Sequence, residues 1–207
     1  MLLSIFYMFD SYIRTIIDPP LNTTGKYLSR VKISANSITI AGFLFGLISI
    51  MLISFSMYYY AIVFILLNRL CDGLDGAVAR NTSLTDFGGF LDILCDFIIY
   101  SGVIFAFSIS DNEKSFAASF LIFSFIGPIT SFLSYAIIAE KRKIKTSRQG
   151  KKSFYYLSGI CEGTETAIIL IALCVFHKYF DYICFFYGFL CWLTTIGRAY
   201  SAWINFK

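Results

Sequence analysis

Charge is scarce in this chain of 207 residues: Asp, Glu, Lys and Arg make up only 14% of it. A soluble domain of this length carries about a quarter of its residues as charges to cover its exterior. With 57% hydrophobic residues, 19% aromatics and a mean hydropathy of +0.72, the apolar surface has to face lipid. These proportions exclude a cytosolic enzyme and a disordered chain. Histidine is nearly missing, His177 standing alone in a predicted loop, which removes histidine-based catalysis and the His/Cys clusters of zinc sites. The six cysteines (Cys71, Cys95, Cys161, Cys174, Cys184 and Cys191) form no CxxC pair and lie in apolar surroundings, so they read as small buried side chains and not as a disulfide scaffold. Met1–Phe9 has neither a basic leader nor a small-residue cleavage site, so a cleaved signal peptide is not expected.

What is present is a succession of long apolar runs. Six spans are expected, at about Ser37–Ser56, Tyr59–Ala79, Phe87–Ser108, Phe116–Ala139, Gly159–Phe176 and Tyr182–Trp203, each near the 20 residues that cross a bilayer as a helix. The fold class is therefore all-α, an integral membrane bundle of six transmembrane helices. Residues 36–207 form the six-span domain. Residues 1–35 precede it and mix apolar residues with Arg14, Lys26, Arg30 and Lys32, as an amphipathic segment on the membrane surface does. Pro19 and Pro20 are expected to break any helix in that segment, and Pro128 to kink the fourth span. Placing the N-terminus in the cytoplasm puts 13 of the 17 Lys and Arg residues on that side, so both termini are expected there. The net charge of +4 then reflects topology and attraction to anionic headgroups, with no separate case for nucleic acid. Tyr58–Tyr60, Phe185–Tyr187, Trp192 and Trp203 serve as interface anchors and lipid-facing filler.

The second and third spans carry the chemistry. Asp72 and Asp75 are three apart, Asp92 and Asp96 four apart, so each pair shares one helix face. A rise of about 1.5 Å per residue sets Asp72 roughly 12 Å inward from Arg80, and Asp92 and Asp96 lie at a comparable depth on the next span. Ionisable groups in a bilayer cost several kcal/mol each. Four converging carboxylates need cations, and hard oxygen donors suit magnesium or manganese; two ions are the economical complement. Gly73, Gly76, Gly88 and Gly89 allow close helix packing or close approach of a ligand, and Arg80 stands where the phosphate of a membrane-bound substrate would sit. The combination describes a cleft for metal and pyrophosphate at the cytoplasmic leaflet.

Asp72, Asp75, Gly76, Ala79, Arg80, Gly88, Asp92 and Asp96 form the pattern D-x2-D-G-x2-A-R-x7-G-x3-D-x3-D. It resembles the signature of the CDP-alcohol phosphotransferases (CDP-alcohol phosphatidyltransferases), integral membrane enzymes of phospholipid synthesis, without departure at a fixed position. The resemblance implies transfer of a phosphatidyl group from CDP-diacylglycerol to the hydroxyl of an alcohol, with release of CMP. It also implies that Asp72, Asp75 and Asp92 are metal ligands and that Asp96 is the general base that also approaches two Mg2+ or Mn2+ ions. Asp72, Gly76, Ala79, Arg80 and Gly88 would bind CDP, and the enzyme would be a homodimer.

The remaining polar residues leave alternatives open. Among the basic residues between Glu140 and Ser158, Arg142, Arg148 or Lys151 is a candidate for a phosphate on the acceptor, such as a polyol phosphate of the glycerol 3-phosphate or inositol phosphate kind, because Arg meets phosphate bidentately; the same charges also serve topology. Arg198, inside the sixth span, either adds a second acceptor-phosphate ligand or pairs with Glu162 or Glu165. Arg69 is expected to pair with Asp72 one turn on. Asn36 and Thr39 either reach the nucleotide or cap the first span. Glu162 to Thr166 either line the acceptor pocket or neutralise the basic loop. The competing function is a cation transporter or a non-catalytic metal-binding membrane protein using the same aspartates; it would bind its ion without CDP and tolerate loss of Arg80.

Overall fold

The computed structural model describes residues 18–143, 161 and 163–207. Among the described residues there is no strand. Seven α-helices follow one another: α1 over 18–30, then α2 Ala35–Ser54, α3 Tyr58–Asn81, α4 Asp86–Ser110, α5 Ser115–Lys141, α6 Gly163–Val175 and α7 Phe180–Phe206. Single 3-10 turns lie at Asn112–Lys114 and His177–Tyr179. Helices α2 to α7 thus fall on the six apolar runs. Among the described residues, four segments are long and apolar enough to cross a bilayer, namely α2, α4, α5 with its preceding turn, and α7 with its preceding turn. The chain is an integral membrane protein with an all-helical fold.

Local signals fix the helix ends. Ser34 caps α2 through the Ser37 amide at 3.1 Å, and Thr85 caps α4 through the Gly88 amide at 3.0 Å, each meeting an amide that has no intrahelical acceptor. Asn36 and Thr39 therefore do not cap α2. The α2–α3 turn closes through Ser56, whose φ is 60°, with Ser56 N–H on the Ile53 carbonyl and Met57 N–H on the Leu52 carbonyl. Pro19 and Pro20 do not prevent a helix: α1 includes both, with Thr23 and Thr24 hydroxyls donating to their carbonyls at 2.9 and 3.0 Å. Pro128 lies inside α5.

Helix α2 packs on α3 and α4, α5 pairs with α7, and α6 rests on α3. These contacts use small residues, as lipid-embedded helices do when no hydrophobic effect drives them together. A Cβ on Gly42 would come within 2.7 Å of the Cys71 Cβ, joining α2 to α3; one on Gly188 would strike Phe120 of α5 at 2.5 Å. Between them runs an apolar core that includes Ile65, Ile99, Phe107, Leu121, Leu173, Phe180 and Tyr187. Five cysteines are buried in it or beside it, and all six are free thiols.

At the end of the bundle away from the aspartates, Lys114 ties four helices together. Its ammonium lies 5.4 Å from the Tyr58 ring centre, 5.8 Å from Phe107 and 6.0 Å from Phe180, and 3.3 Å from the Asp111 carboxylate. The quadrupoles of the rings attract the cation. The Glu113 amide and Lys114 hold the Asp111 carboxyl below the usual carboxylate range. His177 stacks on Tyr58 at 4.7 Å, a packing role.

Gly42→Val should destabilise the protein by about 1–3 kcal/mol, the usual cost of overpacking. Gly197→Ala, where an added Cβ meets nothing within 4 Å, should leave the Tm unchanged or raise it, since alanine favours helix. Thermal unfolding in detergent micelles measures both.

Candidate active site

Helices α3 and α4 both pack on α2, and aspartates of the two converge. Carboxylate oxygens of Asp72, Asp92 and Asp96 all lie within 4.8 Å of one another. Carboxylates this close repel unless a cation or a proton lies between them. Three converging hard-oxygen donors match the ligand set of Mg2+ or Mn2+. Asp75 stands apart from this trio. It is 6% exposed and accepts a hydrogen bond of 2.5 Å from the Thr39 hydroxyl of α2, which fixes its orientation.

A cavity of about 760 Å³ opens beside the trio. The carboxyl end of α3, the α3–α4 turn, the α1–α2 junction and the middle of α5 and α7 form its wall. Asp75, Asp92 and Asp96 reach it, whereas Asp72 lies behind them in a small adjoining recess. Gly76, Ala79, Arg80 and Gly88 all line the cavity. A Cβ on Gly76 would stand 3.2 Å from Arg80 Nη1, and one on Gly88 2.9 Å from Thr85 Oγ1 and 3.2 Å from Asn36 Oδ1. Side chains at either position would fill the space in front of Arg80 and the α4 N-terminus. Arg80 is exposed and donates to Asn22 Oδ1 of α1 at 3.1 Å. Helix α1 reaches it because Gly25 and Gly73 permit contact with Ala77 and Leu21, where added Cβ atoms would come within 2.7 and 2.8 Å. The described part of the N-terminal segment is therefore docked on the motif helix.

Arg69 of α3 lies across the trio. Its Nη2 meets Asp96 Oδ1 at 2.5 Å, and Nη1 lies 3.6 Å from Asp72 Oδ2. The expected pairing with Asp72 is present, but the closer partner is on the neighbouring helix. Tyr100, one turn beyond Asp96, accepts from Arg69 Nη1 and donates to Asp96 Oδ2 at 3.0 Å. On the other side, Arg69 Nε donates to Asn68 Oδ1 at 2.9 Å, and Asn68 Nδ2 donates to the Gly42 carbonyl of α2 at 2.9 Å.

The basic acceptor candidates separate. Arg198 is 7% exposed, lines the cavity and donates to the Pro128 carbonyl at 2.8 Å, with its guanidinium 5.7 Å from the Phe132 ring centre. Arg142 is placed elsewhere: it donates to the carbonyls of Asn205 and Phe206 and is absent from the cavity wall. The last carbonyls of α7 lack intrahelical donors, and a guanidinium at the adjacent end of α5 satisfies them. Arg148, Lys151 and Glu162 lie outside the described residues. Sequence reasoning did not anticipate Asn22 and Tyr100; a lone phenol one turn from Asp96 was the available signal for the second, and nothing local pointed to the first.

A family model described as CDP-alcohol phosphatidyltransferase matches residues 32–199. The chain is 40% identical over 201 residues to the inner membrane protein YnjF of Escherichia coli (strain K12), covering 97% of this chain and 98% of that one. It is 28% identical over 193 residues to the archaetidylinositol phosphate synthase of Pyrococcus horikoshii, covering 93% and 95%. Among solved structures, the phosphatidylinositol phosphate synthase PgsA1 of Mycobacterium tuberculosis, crystallised with CDP-DAG bound, matches with a TM-score of 0.69 at 18% identity, over 88% of this chain and 93% of that one. At that identity the likeness concerns the fold.

Asp72→Asn and Asp92→Asn should each weaken Mn2+ binding at least about tenfold, the lower end of what even an outer partner of a metal ligand contributes. Thr85→Ala, which removes only a helix cap, should leave it unchanged. Electron paramagnetic resonance of free against bound Mn2+ reads the difference, and equal affinities in all three variants would show that the trio holds no ion.

Proposed function

The chain belongs to the CDP-alcohol phosphatidyltransferase family, and from that premise we propose that it transfers a phosphatidyl group from CDP-diacylglycerol to the hydroxyl of an alcohol, releasing CMP. The observation that carries this reading is the opening of the acidic trio onto a cavity lined by Gly76, Ala79, Arg80 and Gly88. The glycines leave room for a nucleotide, and Arg80 meets its phosphates as a forked donor. Asp72, Asp92 and Asp96, with Asp75 beside them, would hold two Mg2+ or Mn2+ ions, which would supply positive charge to the diphosphate and lower the cost of the negative charge that gathers on phosphorus and on CMP.

The chain's own residues supply the rest. Asp96 faces the cavity and takes the proton of the incoming hydroxyl. The acceptor oxygen forms its bond to the phosphatidyl phosphorus, and the bond from that phosphorus to the bridging oxygen breaks, so that CMP leaves with the electron pair. Asp75, held by Thr39, keeps its carboxylate directed at the cavity. At the far side Arg198, buried and rigidly held, binds an acidic group of the acceptor. A phosphorylated polyol fits that cation, and both the archaetidylinositol phosphate synthase and the phosphatidylinositol phosphate synthase carry such a product in their names. Arg148 and Lys151 belong to the same acceptor hypothesis. Residues 36–207 are the catalytic unit; α2 to α7 cross the bilayer with both termini and the cavity mouth on the cytoplasmic side, as the excess of Lys and Arg there favours. Two copies form the enzyme.

Purified protein in lipid nanodiscs, given labelled CDP-diacylglycerol, Mn2+ and glycerol 3-phosphate, inositol phosphate, inositol or serine in turn, should release CMP with one class of acceptor and form the matching lipid. Activity should vanish on chelation and return with Mn2+. Asp96→Asn should retain CDP-lipid binding and lose CMP release by at least about a hundredfold, within the range that one general base contributes. Arg198→Gln should raise the KM of a phosphorylated acceptor about tenfold or more, with little change in that of CDP-diacylglycerol. CMP release that survives strong chelation, or survives Asp96→Asn, would refute the mechanism.

A further inference from the structure

Three of the acidic residues are accounted for by the proposed reaction, but the cation lying among them is not. We propose that Arg69 is a positioning residue and resident counter-charge of the site: it aims the Asp96 carboxylate and weakens the hold of the acidic trio on divalent ions to a level at which substrate binding matters. The proposal rests on the metal-dependent reading above.

The geometry supplies both halves. A carboxylate has two oxygens and about four lone-pair sites. Arg69 Nη2 occupies one on Oδ1, while Tyr100, itself bonded to Arg69 Nη1, and Arg69 Nη1 at 3.4 Å both meet Oδ2. A lone-pair site remains on Oδ1 for the trio, whose oxygens lie within 4.8 Å of one another, so one carboxylate can serve the fork and an ion together. The fork cannot swing freely, because Arg69 Nε is tied to Asn68 and Asn68 to the Gly42 carbonyl of α2. The Arg69 side chain is 14% exposed and Asp96 25%, so the pair is poorly screened by solvent. A fixed positive charge touching Asp96 and 3.6 Å from Asp72 repels a divalent ion bound to the same carboxylates. This repulsion outweighs the ordering that the fork confers, because Tyr100 still holds Asp96 when the guanidinium is gone.

Charge and fork are separable by substitution. Arg69→Gln removes the charge and should tighten Mn2+ binding at least tenfold, equivalent to 1.4 kcal/mol, while kcat falls at least thirtyfold because Asp96, kept in place by Tyr100 alone, loses the second anchor that aims it at the acceptor. A purely structural arginine would weaken Mn2+ binding on removal, or leave it alone. Arg69→Lys keeps the charge but not the planar fork, so its Mn2+ affinity should stay within threefold of the parent while kcat remains at least tenfold low. Tyr100→Phe should also leave Mn2+ affinity within threefold and lower kcat several-fold. Titration of the full-length protein in nanodiscs with Mn2+ alone, read by electron paramagnetic resonance, measures affinity without any turnover; CMP release measures kcat separately. Mn2+ binding that is unchanged or weaker in Arg69→Gln overturns the proposal. If that variant does not fold, the lysine variant decides: parental kcat, or a Mn2+ affinity shifted more than threefold, overturns it. A parent protein that binds Mn2+ yet releases no CMP refutes the reaction instead, and the Mn2+ affinities alone then judge Arg69.

Discussion

An ionised side chain beneath the headgroups is stable only beside a compensating charge or donor, because lipid offers neither. Several carboxylates gathered between two helices are the most demanding feature of this protein, and the surrounding structure answers to them. Arg69 brings one positive charge into contact with Asp96 and close to Asp72, Thr39 donates to Asp75, and Tyr100 donates to Asp96. These partners come from α2, α3 and α4, so the three helices have to pack closely and in one register. Gly42 provides that closeness on α2, since its missing side chain admits Cys71, and its carbonyl anchors Asn68 behind Arg69.

The same constraint shapes the cavity. The trio opens on one side to the cavity, and the wall around Gly76, Ala79, Gly88 and Gly89 is built from glycine, alanine and short polar residues. Helix α1 closes part of this mouth by docking on Gly73 and Ala77 and presenting Asn22 to Arg80. The described part of the segment before α2 is thus joined to the wall of the cavity. On the far wall, Arg198 is held between the Pro128 carbonyl and the Phe132 ring.

Arginine is used here in three different ways. Arg142 reaches two terminal carbonyls of α7, an exposed role in which geometry matters more than charge. Arg69 pairs with acids inside the bundle. Arg80, on the rim, keeps a guanidinium open to the cavity. Composition treats all three alike, and only their neighbours distinguish them.

The helices α2 to α7 and the placing of Asp72 with Asp75 and of Asp92 with Asp96 were legible because they depend on local periodicity: a long apolar run, and spacings of three and four that repeat on one helix face. The pairing of Arg69 with Asp72 was legible for the same reason. Its closer contact with Asp96, the bond from Thr39 to Asp75, the reach of Asn22 to Arg80 and the departure of Arg142 to the end of α7 were not. Each joins residues on different helices, and no spacing along a chain records how two helices are rotated about their axes. The order of residues alone determined the membrane class, the helical segments and which carboxylates share a face. Tertiary packing decided which three of them converge, which cation meets them and where the cavity opens, because those depend on the crossing of helices brought together by small side chains and by the need to compensate charge away from water.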